Sequence, residues 1–576
     1  MNPIARTCIA ICLLAGGLSA ITSLSPLTGE AQARTAFPQV TIRAATQKAV
    51  RPPIRDVPHD ADHNAEKHWI FLDGKPDAHA SGASDRALRR RRVRGQSDTA
   101  GLNLEVAPSY TERLRQMGIE PIVQSRWLNA VSARLTRDQV DRVEKIGFVR
   151  SVRPVALLPP VHPPPSDAGP AFKVGDLDYG PSRLQLDLIR AIAPLERGID
   201  GTGVRLGFLD TPFGGFDHPA FERLTTEGRL VDVRDFVGSP QPAFTHGLSV
   251  ASVAVGYDPG RLIGPAHGAE VLGAITEYGP TETNREEDYF VAGLEWLESM
   301  GVDVVNVSLG YTTFDPGERN YSREDLDGET AVTTLAADRA VELGVVVVTS
   351  AGNSGCSSPS RCWYYVSTPA DGDFVIAVGA VNADSSRSSF SSFGPTADGR
   401  TKPDVAALGT GVYIAEPGGY GFSNGTSFAA PLVSAVVCQM LQVNPTLSPL
   451  QVRDILRVTA SRGTQPDNAL GWGIVNASAA VDAASGVVEE HDGLSIETYP
   501  NPATDQVFIH IKTDAMTAGR LEIFDALGRR IRVDVRGTAA GSTTLRVPSR
   551  HLASGIYLAV YTTERRRTAA RFVVVR

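Results

Sequence analysis

From residue 166 to about 485 the chain alternates short apolar runs with helical patterns, and that alternation leaves few architectures open. Val204-Arg205-Leu206-Gly207-Phe208-Leu209 ends at Asp210, and Val302-Asp303-Val304-Val305-Asn306-Val307 ends at Ser308. Val345-Val346-Val347-Val348-Thr349 runs on to Ala351-Gly352-Asn353, and Phe374-Val375-Ile376-Ala377-Val378 follows. Between them Glu286 to Met300 and Glu329 to Leu343 carry helical spacing, the second stopped by Gly344. Short apolar strands alternating with helices predict an α/β fold, a parallel sheet covered by helices on both faces. Sites in such sheets lie beyond the carboxyl ends of the strands. Asp210, Ser308 and Asn353 all stand at such ends, so polar residues from distant sequence are expected to converge.

A second stretch supplies a nucleophile. In Gly425-Thr426-Ser427-Phe428-Ala429-Ala430-Pro431 a serine sits among small residues, and the apolar run Leu432 to Leu441 follows. This predicts a buried helix beginning at the serine, with its free N–H groups and positive dipole end beside the hydroxyl. Pro431 is placed in the first turn, where its missing N–H has no partner to lose. A serine that hydrolyses needs a base, and the base needs a carboxylate to hold its tautomer. Asp210, His246 and Ser427 offer these in chain order. His246 opens the small, apolar run Gly247 to Ala254, suited to the start of a buried helix. His218 and His267 compete for the base but stand in turn-like settings that read as surface histidines; Asp217 competes with Asp210 but does not end a strand. The side chain of Asn353 and the backbone N–H of Ser427 are candidate oxyanion donors.

These residues carry a family resemblance. Gly425 to Pro431 resembles the nucleophile motif of the subtilisin-like serine proteases throughout, and the Asp-His-Ser order is that of subtilisin. Ser350-Ala351-Gly352-Asn353 resembles the family's oxyanion segment, and Ser308-Leu309-Gly310 one wall of its substrate cleft. The resemblance covers roughly 175–485. It implies a serine endopeptidase that works through an acyl-enzyme on protein or peptide substrates. No cofactor is required for the chemistry; structural calcium is common in the family, but no ligand cluster can be placed. Two departures stand out: Pro212 where the family has Gly, and Leu248 where it has Thr, which removes a hydroxyl near the triad.

The flanks organise around this unit. Residues 1–33 read as a signal peptide, with Arg6, an apolar stretch and Ala31-Gln32-Ala33, Ala20 being an alternative cut. Residues 34–165 hold linkers and a module whose order, strand, helix, strand, strand, helix, strand, predicts a small ferredoxin-like fold. That module resembles an inhibitory protease propeptide. Its basic run Arg86-Ala87-Leu88-Arg89-Arg90-Arg91-Arg92 reads as a solvated helix face or a processing site. The Pro-rich stretch 159–165 reads as a stiff linker. Residues 166–485 form the catalytic domain. Alternating strands over 486–576 predict an antiparallel β-sandwich. Tyr499-Pro500-Asn501-Pro502, Leu527-Gly528-Arg529-Arg530 and Leu552-Ala553-Ser554-Gly555-Ile556-Tyr557 resemble the type IX secretion sorting domain of Bacteroidota-like bacteria. The resemblance implies the outer-membrane secretion machinery as a partner and a secreted or surface location.

A net charge of −8 gives no sign of nucleic-acid binding. Cys356 and Cys362 are spaced for a small disulfide loop in an oxidising compartment, and Cys438 reads as a buried apolar residue. The competing function is a non-catalytic surface binding protein on the same fold, which the intact Asp, His, Asn and Ser set disfavours. An esterase of another hydrolase fold fails on chain order and on the missing Gly-x-Ser-x-Gly elbow.

Overall fold

The structure is a computed structural model. It describes residues 65–80, 82–96, 100–154, 177–238, 245–279, 283–315, 318, 320–356, 364–485, 494–499, 503, 506–513, 519–525, 530–535, 541–553, 555–563 and 567–574. The signal-peptide reading, the Pro-rich linker and Cys362 lie outside them.

The central sheet has seven strands, all parallel. From one edge they run Val405–Leu408, Ile376–Val381, Val346–Ser350, Val304–Val307, Arg205–Asp210, Glu270–Ile275 and Leu230–Asp235. From Arg205–Asp210 the chain goes to the edge strand Leu230–Asp235, returns through Glu270–Ile275, then crosses to Val304–Val307 and winds outward to Val405–Leu408. The crevice therefore opens at the carboxyl ends of Arg205–Asp210 and of Val304–Val307, where strand order reverses. Every residue of Val304–Val307, Val346–Ser350 and Ile376–Val381 is buried, as expected of strands covered on both faces.

Alternation along the strands assigns the helices to faces. Leu206 and Phe208 join the core under helices His246–Val255 and Thr426–Val443. Leu209, Val305 and Val307 point the other way, toward helices Asn284–Ser299 and Val332–Glu342. Both elements begin two to three residues from the predicted helix starts.

The propeptide-like module packs on that second pair. Its strands lie in the order Gln124–Ser125, Ala130–Leu135, Glu66–Leu72, Val149–Pro154, antiparallel throughout, which is the ferredoxin-like order expected. The strand predicted at 121–123 is assigned at Gln124–Ser125, although backbone bonds of Ile122 and Val123 with Ser132 continue the pairing. Ile70, Leu72, Leu114 and Val143 fill the module's own core. Trp69, Phe71 and Trp127 face outward into the cluster built by Phe290, Leu294 and Ala337 of the catalytic helices.

One expectation fails here. The basic run does form a helix, Asp85–Val93, but only Arg89 and Arg92 keep a solvated face: Arg90 and Arg91 are 5% and 2% exposed. Both meet the carboxylate of Glu298 in helix Asn284–Ser299, which a reading of the run alone could not supply.

The C-terminal strands form two antiparallel sheets, Leu494–Tyr499, Gln506–Thr513, Gly541–Pro548 and Arg530–Val535, Gly519–Asp525, Gly555–Thr563, Arg567–Val574. Ile509, Leu521, Tyr561 and Phe572 share the core between them. Cys438 is buried and free. Cys356 is disulfide-bonded.

Candidate active site

Asp210 is the last residue of its strand and is fully buried. Its Oδ1 accepts from the Thr211 N–H at 2.8 Å and from His246 Nδ1 at 2.7 Å, while Oδ2 has no hydrogen-bond partner. The bond to Asp210 puts the Nδ1 proton on the carboxylate side and leaves Nε2 as the free base. His246 is the first residue of its helix, and a quarter of its side chain, 26%, remains open. Burial works against an imidazolium there. The charge and hydrogen bond of Asp210 outweigh it, so the pKa of His246 stands above the ordinary histidine value.

The loop after Asp210 is tied to the histidine helix by the Gly247 N–H, which donates to Thr211 Oγ1 at 3.0 Å. Leu248, the departure noted in the sequence, turns into the apolar core instead.

Ser427 is the second residue of helix Thr426–Val443 and is 8% exposed. Its Oγ donates to the Ser308 carbonyl at 3.1 Å. The helix carries Pro431 in its interior rather than in the first turn, which corrects the expectation. A proline there deprives the carbonyl four residues back, that of Ser427, of its helical partner. Ser308 Oγ takes the role, donating to Ser427 O at 2.7 Å. Ser308 Oγ in turn accepts from Asn306 Nδ2 at 2.9 Å, and Asn306 Oδ1 accepts from Ser434 Oγ at 2.9 Å. This buried relay fastens helix Thr426–Val443 to the sheet. Asn306 and Ser434 were not picked from the sequence. The available signals were an amide inside a valine run and a serine seven residues, two helical turns, beyond Ser427.

Asn353 Oδ1 accepts from both the N–H and the Oγ1 of Thr426, each at 2.9 Å, which turns Nδ2 away as a donor. Gly425, just before the helix, has φ 153° and ψ 151°, a region kept almost to glycine. A Cβ there would lie 3.6 Å from the Ser427 nitrogen and 3.7 Å from Asn353 Nδ2. Glycine thus leaves open the space between two N–H donors.

The expected cleft walls meet: Ser350 Oγ donates to the Leu309 carbonyl at 3.1 Å. Leu309, Gly310 and Gly352 retain exposure, whereas Ser350 and Ala351 are buried behind them.

The rival histidines are not surface groups, contrary to expectation; each is 7% exposed. His218 holds the Gly419 carbonyl at 2.7 Å and the Ala220 N–H at 3.1 Å. His267 packs on Tyr257 near Asp200, and burial pushes its pKa down to about 4. Asp217 is exposed. Neither histidine meets a nucleophile.

A model of the subtilase family matches residues 201–473. Subtilisin E of Bacillus subtilis is 34% identical over 298 residues, 51% of this chain and 69% of that protein. The subtilisin of Bacillus pumilus is 33% identical over 276 residues, 47% of this chain and 89% of that protein. Subtilisin DY of Bacillus licheniformis is 32% identical over 302 residues, 51% and 97% of the two.

The chain belongs to the subtilase family. Residues 67–165 of this subtilase match the peptidase S8 propeptide domain of Bacteroidota, and residues 497–575 match the secretion system C-terminal sorting domain. It is a serine peptidase made with a propeptide and a type IX sorting domain, which indicates a secreted or cell-surface protein. Subtilases need no cofactor for catalysis. Among the described residues no group of three or more His, Cys, Asp or Glu side chains is arranged to hold a metal ion, so no calcium site is assigned.

Proposed function

We propose that this subtilase is a secreted endopeptidase in which Ser427, His246 and Asp210 form the catalytic triad. Ser427 Oγ attacks the scissile carbonyl. Its proton passes to His246 Nε2, and Asp210 holds the imidazole in that tautomer and stabilises its charge. Asn353 Nδ2 and the Ser427 N–H receive the oxyanion in the space above Gly425. The protonated His246 then gives its proton to the leaving amine, and water repeats the sequence on the acyl-enzyme. Leu309 and Gly310 on one side and Gly352 on the other flank an extended substrate, with Ser308, Ser350 and Ala351 supporting them. The observation that carries this reading is the 2.7 Å His246–Asp210 bond at the carboxyl end of the sheet, facing a helix that opens on Thr426-Ser427. Ser427 Oγ, now bonded to the Ser308 carbonyl, rotates about its Cα–Cβ bond to reach the histidine, as active-site hydroxyls in unliganded enzymes often must.

In this reading residues 1–33 are removed on export, 34–165 are the propeptide with its linkers, 166–485 the catalytic domain and 486–576 the sorting domain. Ser427→Ala is expected to abolish both peptide cleavage and labelling by a fluorophosphonate probe. Wild-type turnover in that variant would overturn the assignment. Failure of the propeptide-free wild type to react with the probe would favour the inactive binding protein instead.

A further inference from the structure

The arginine helix Asp85–Val93 sits far from the cleft. It packs where helices Asn284–Ser299 and Val332–Glu342 end and the chain turns back into the sheet. The last carbonyls of a helix lack partners and carry the negative end of its dipole. Here the propeptide supplies a partner for one of them, Ser299 O, and for carbonyls of the turns that follow the two helices. The Ser84 N–H donates to Ser299 O at 2.9 Å, Arg86 Nε to Gly301 O at 3.0 Å, and Arg94 Nη1 to Gly344 O at 2.6 Å; Arg90 donates to Val302 O.

Two carboxylates complete the socket. Glu298, whose side chain is fully buried, receives Arg91 through both oxygens, Nε to Oε1 at 3.0 Å and Nη2 to Oε2 at 2.7 Å, and also binds Arg90. Arg126 Nη2 lies 3.6 Å from Oε2. Asp303 pairs with Arg86 at 2.6 Å and Arg94 at 3.1 Å. Asp303 immediately precedes the amino end of strand Val304–Val307, whereas Ser308 follows its carboxyl end. The socket and the cleft are thus a strand apart, about 16 Å from Asp303 to Ser308 at ~3.3 Å per residue.

We propose that the arginine helix is an anchor of the propeptide, seated in a socket of Glu298, Asp303 and the carbonyls at and just beyond the two helix ends, and separable from the apolar packing of Trp69, Phe71 and Trp127 on the same pair of helices. Severing the chain between residues 154 and 177 leaves this anchor intact. The severed propeptide of the same chain is the socket's occupant, and the anchor sets how long it stays. This rests on the proposed protease only for the cut itself. Buried fork-to-carboxylate pairs dissociate slowly, and removing one member leaves the others buried without a partner.

The test follows propeptide release from the self-cleaved full chain by size-exclusion chromatography with mass spectrometry. Arg90→Gln/Arg91→Gln and, from the other side, Asp303→Asn are expected to release the propeptide at least tenfold faster. Arg89→Gln/Arg92→Gln, on the exposed face of the same helix, should release it at the wild-type rate. Equal rates for all variants would overturn the proposal. Should the buried variants fail to fold, hydrogen exchange on the wild type decides. Amides of 86–94 are expected to stay protected as long as those of strand Ala130–Leu135, and exchange at unfolded rates over 86–94 in the bound propeptide would refute the anchor. If the chain does not cut itself, the same exchange measurement on the intact chain still reports on the anchor, separately from the protease reading.

Discussion

Helix Thr426–Val443 has a gap in its hydrogen bonding at Ser427, the proposed nucleophile, and Ser308→Ala tests how it is filled. Pro431 offers no N–H, so the Ser427 carbonyl depends on Ser308 Oγ at 2.7 Å. Alanine at 308 removes that donor and also the acceptor of Asn306 Nδ2. Ser308 and Asn306 are 3% and 0% exposed, so water does not readily replace either partner. A buried group left without its partner costs about 1–3 kcal/mol. With partial relaxation, a total of about 2 kcal/mol is expected, against a typical domain stability of about 5–15 kcal/mol. At about 1.4 kcal/mol per tenfold, that is on the order of a 30-fold change in an equilibrium or rate. The assay is the thermal inactivation half-life of the mature enzyme, with kcat on a chromogenic peptide alongside, since Ser427 loses a fixed carbonyl next to its Cα. The decisive comparison adds Pro431→Ala, which restores an N–H able to bond Ser427 O within the helix. In that background Ser308→Ala should cost about 1 kcal/mol less, a coupling typical of groups that share a partner. An equal cost in both backgrounds, or none in either, would refute the idea that Ser308 substitutes for the missing helical bond.

Two further predictions concern the chemistry. His246 must be neutral to accept the serine proton, and its pKa is raised above the ordinary value of about 6.5. The acidic limb of kcat/KM against pH should therefore fall above pH 6.5, with activity rising as pH increases through it; Asp210→Asn, which removes the raising charge, should shift the limb down while lowering kcat. A wild-type limb below pH 6.5 would contradict the geometry. Gly425→Ala would place a methyl between the two oxyanion donors and force a non-glycine into φ 153°. Losing one donor alone is worth on the order of 10²–10³ in kcat, so a loss of that size with little change in KM is expected, measured on the variant's soluble, propeptide-free form. Activity within tenfold of wild type would show that the oxyanion lies elsewhere.

Much of the site could be read in the residues because its parts sit at element ends, which local pattern marks well. Asp210, Ser308 and Asn353 follow apolar runs, and His246 and Ser427 open runs of small apolar residues. What escaped were the supports. Asn306 lies inside a strand and Ser434 inside a helix, and nothing in the local pattern tells a buried polar group that bonds across 128 residues from one that merely tolerates burial. Pro431 was read as a first-turn residue because the helix start was placed too loosely to distinguish the first turn from the second. The histidines at 218 and 267 were read as exposed because turn residues usually are; hydrogen bonding of His218 to Gly419, 201 residues away, and packing of His267 on Tyr257 put both inside.

The sequence by itself determined the architecture: periodicity, helix stops and strand-end residues are local properties, and burial on both faces of a sheet leaves its mark on every strand. It also supplied the residue types the proposed triad needs, a hydroxyl, an imidazole and a carboxylate. Tertiary structure alone decided which polar groups are partners. The fate of Arg90 and Arg91 shows why. Of five arginines on one helix, those facing water are a solvated face and Arg90 and Arg91 beside Glu298 are an anchor, and the carboxylate that makes the difference lies 207 residues beyond Arg91.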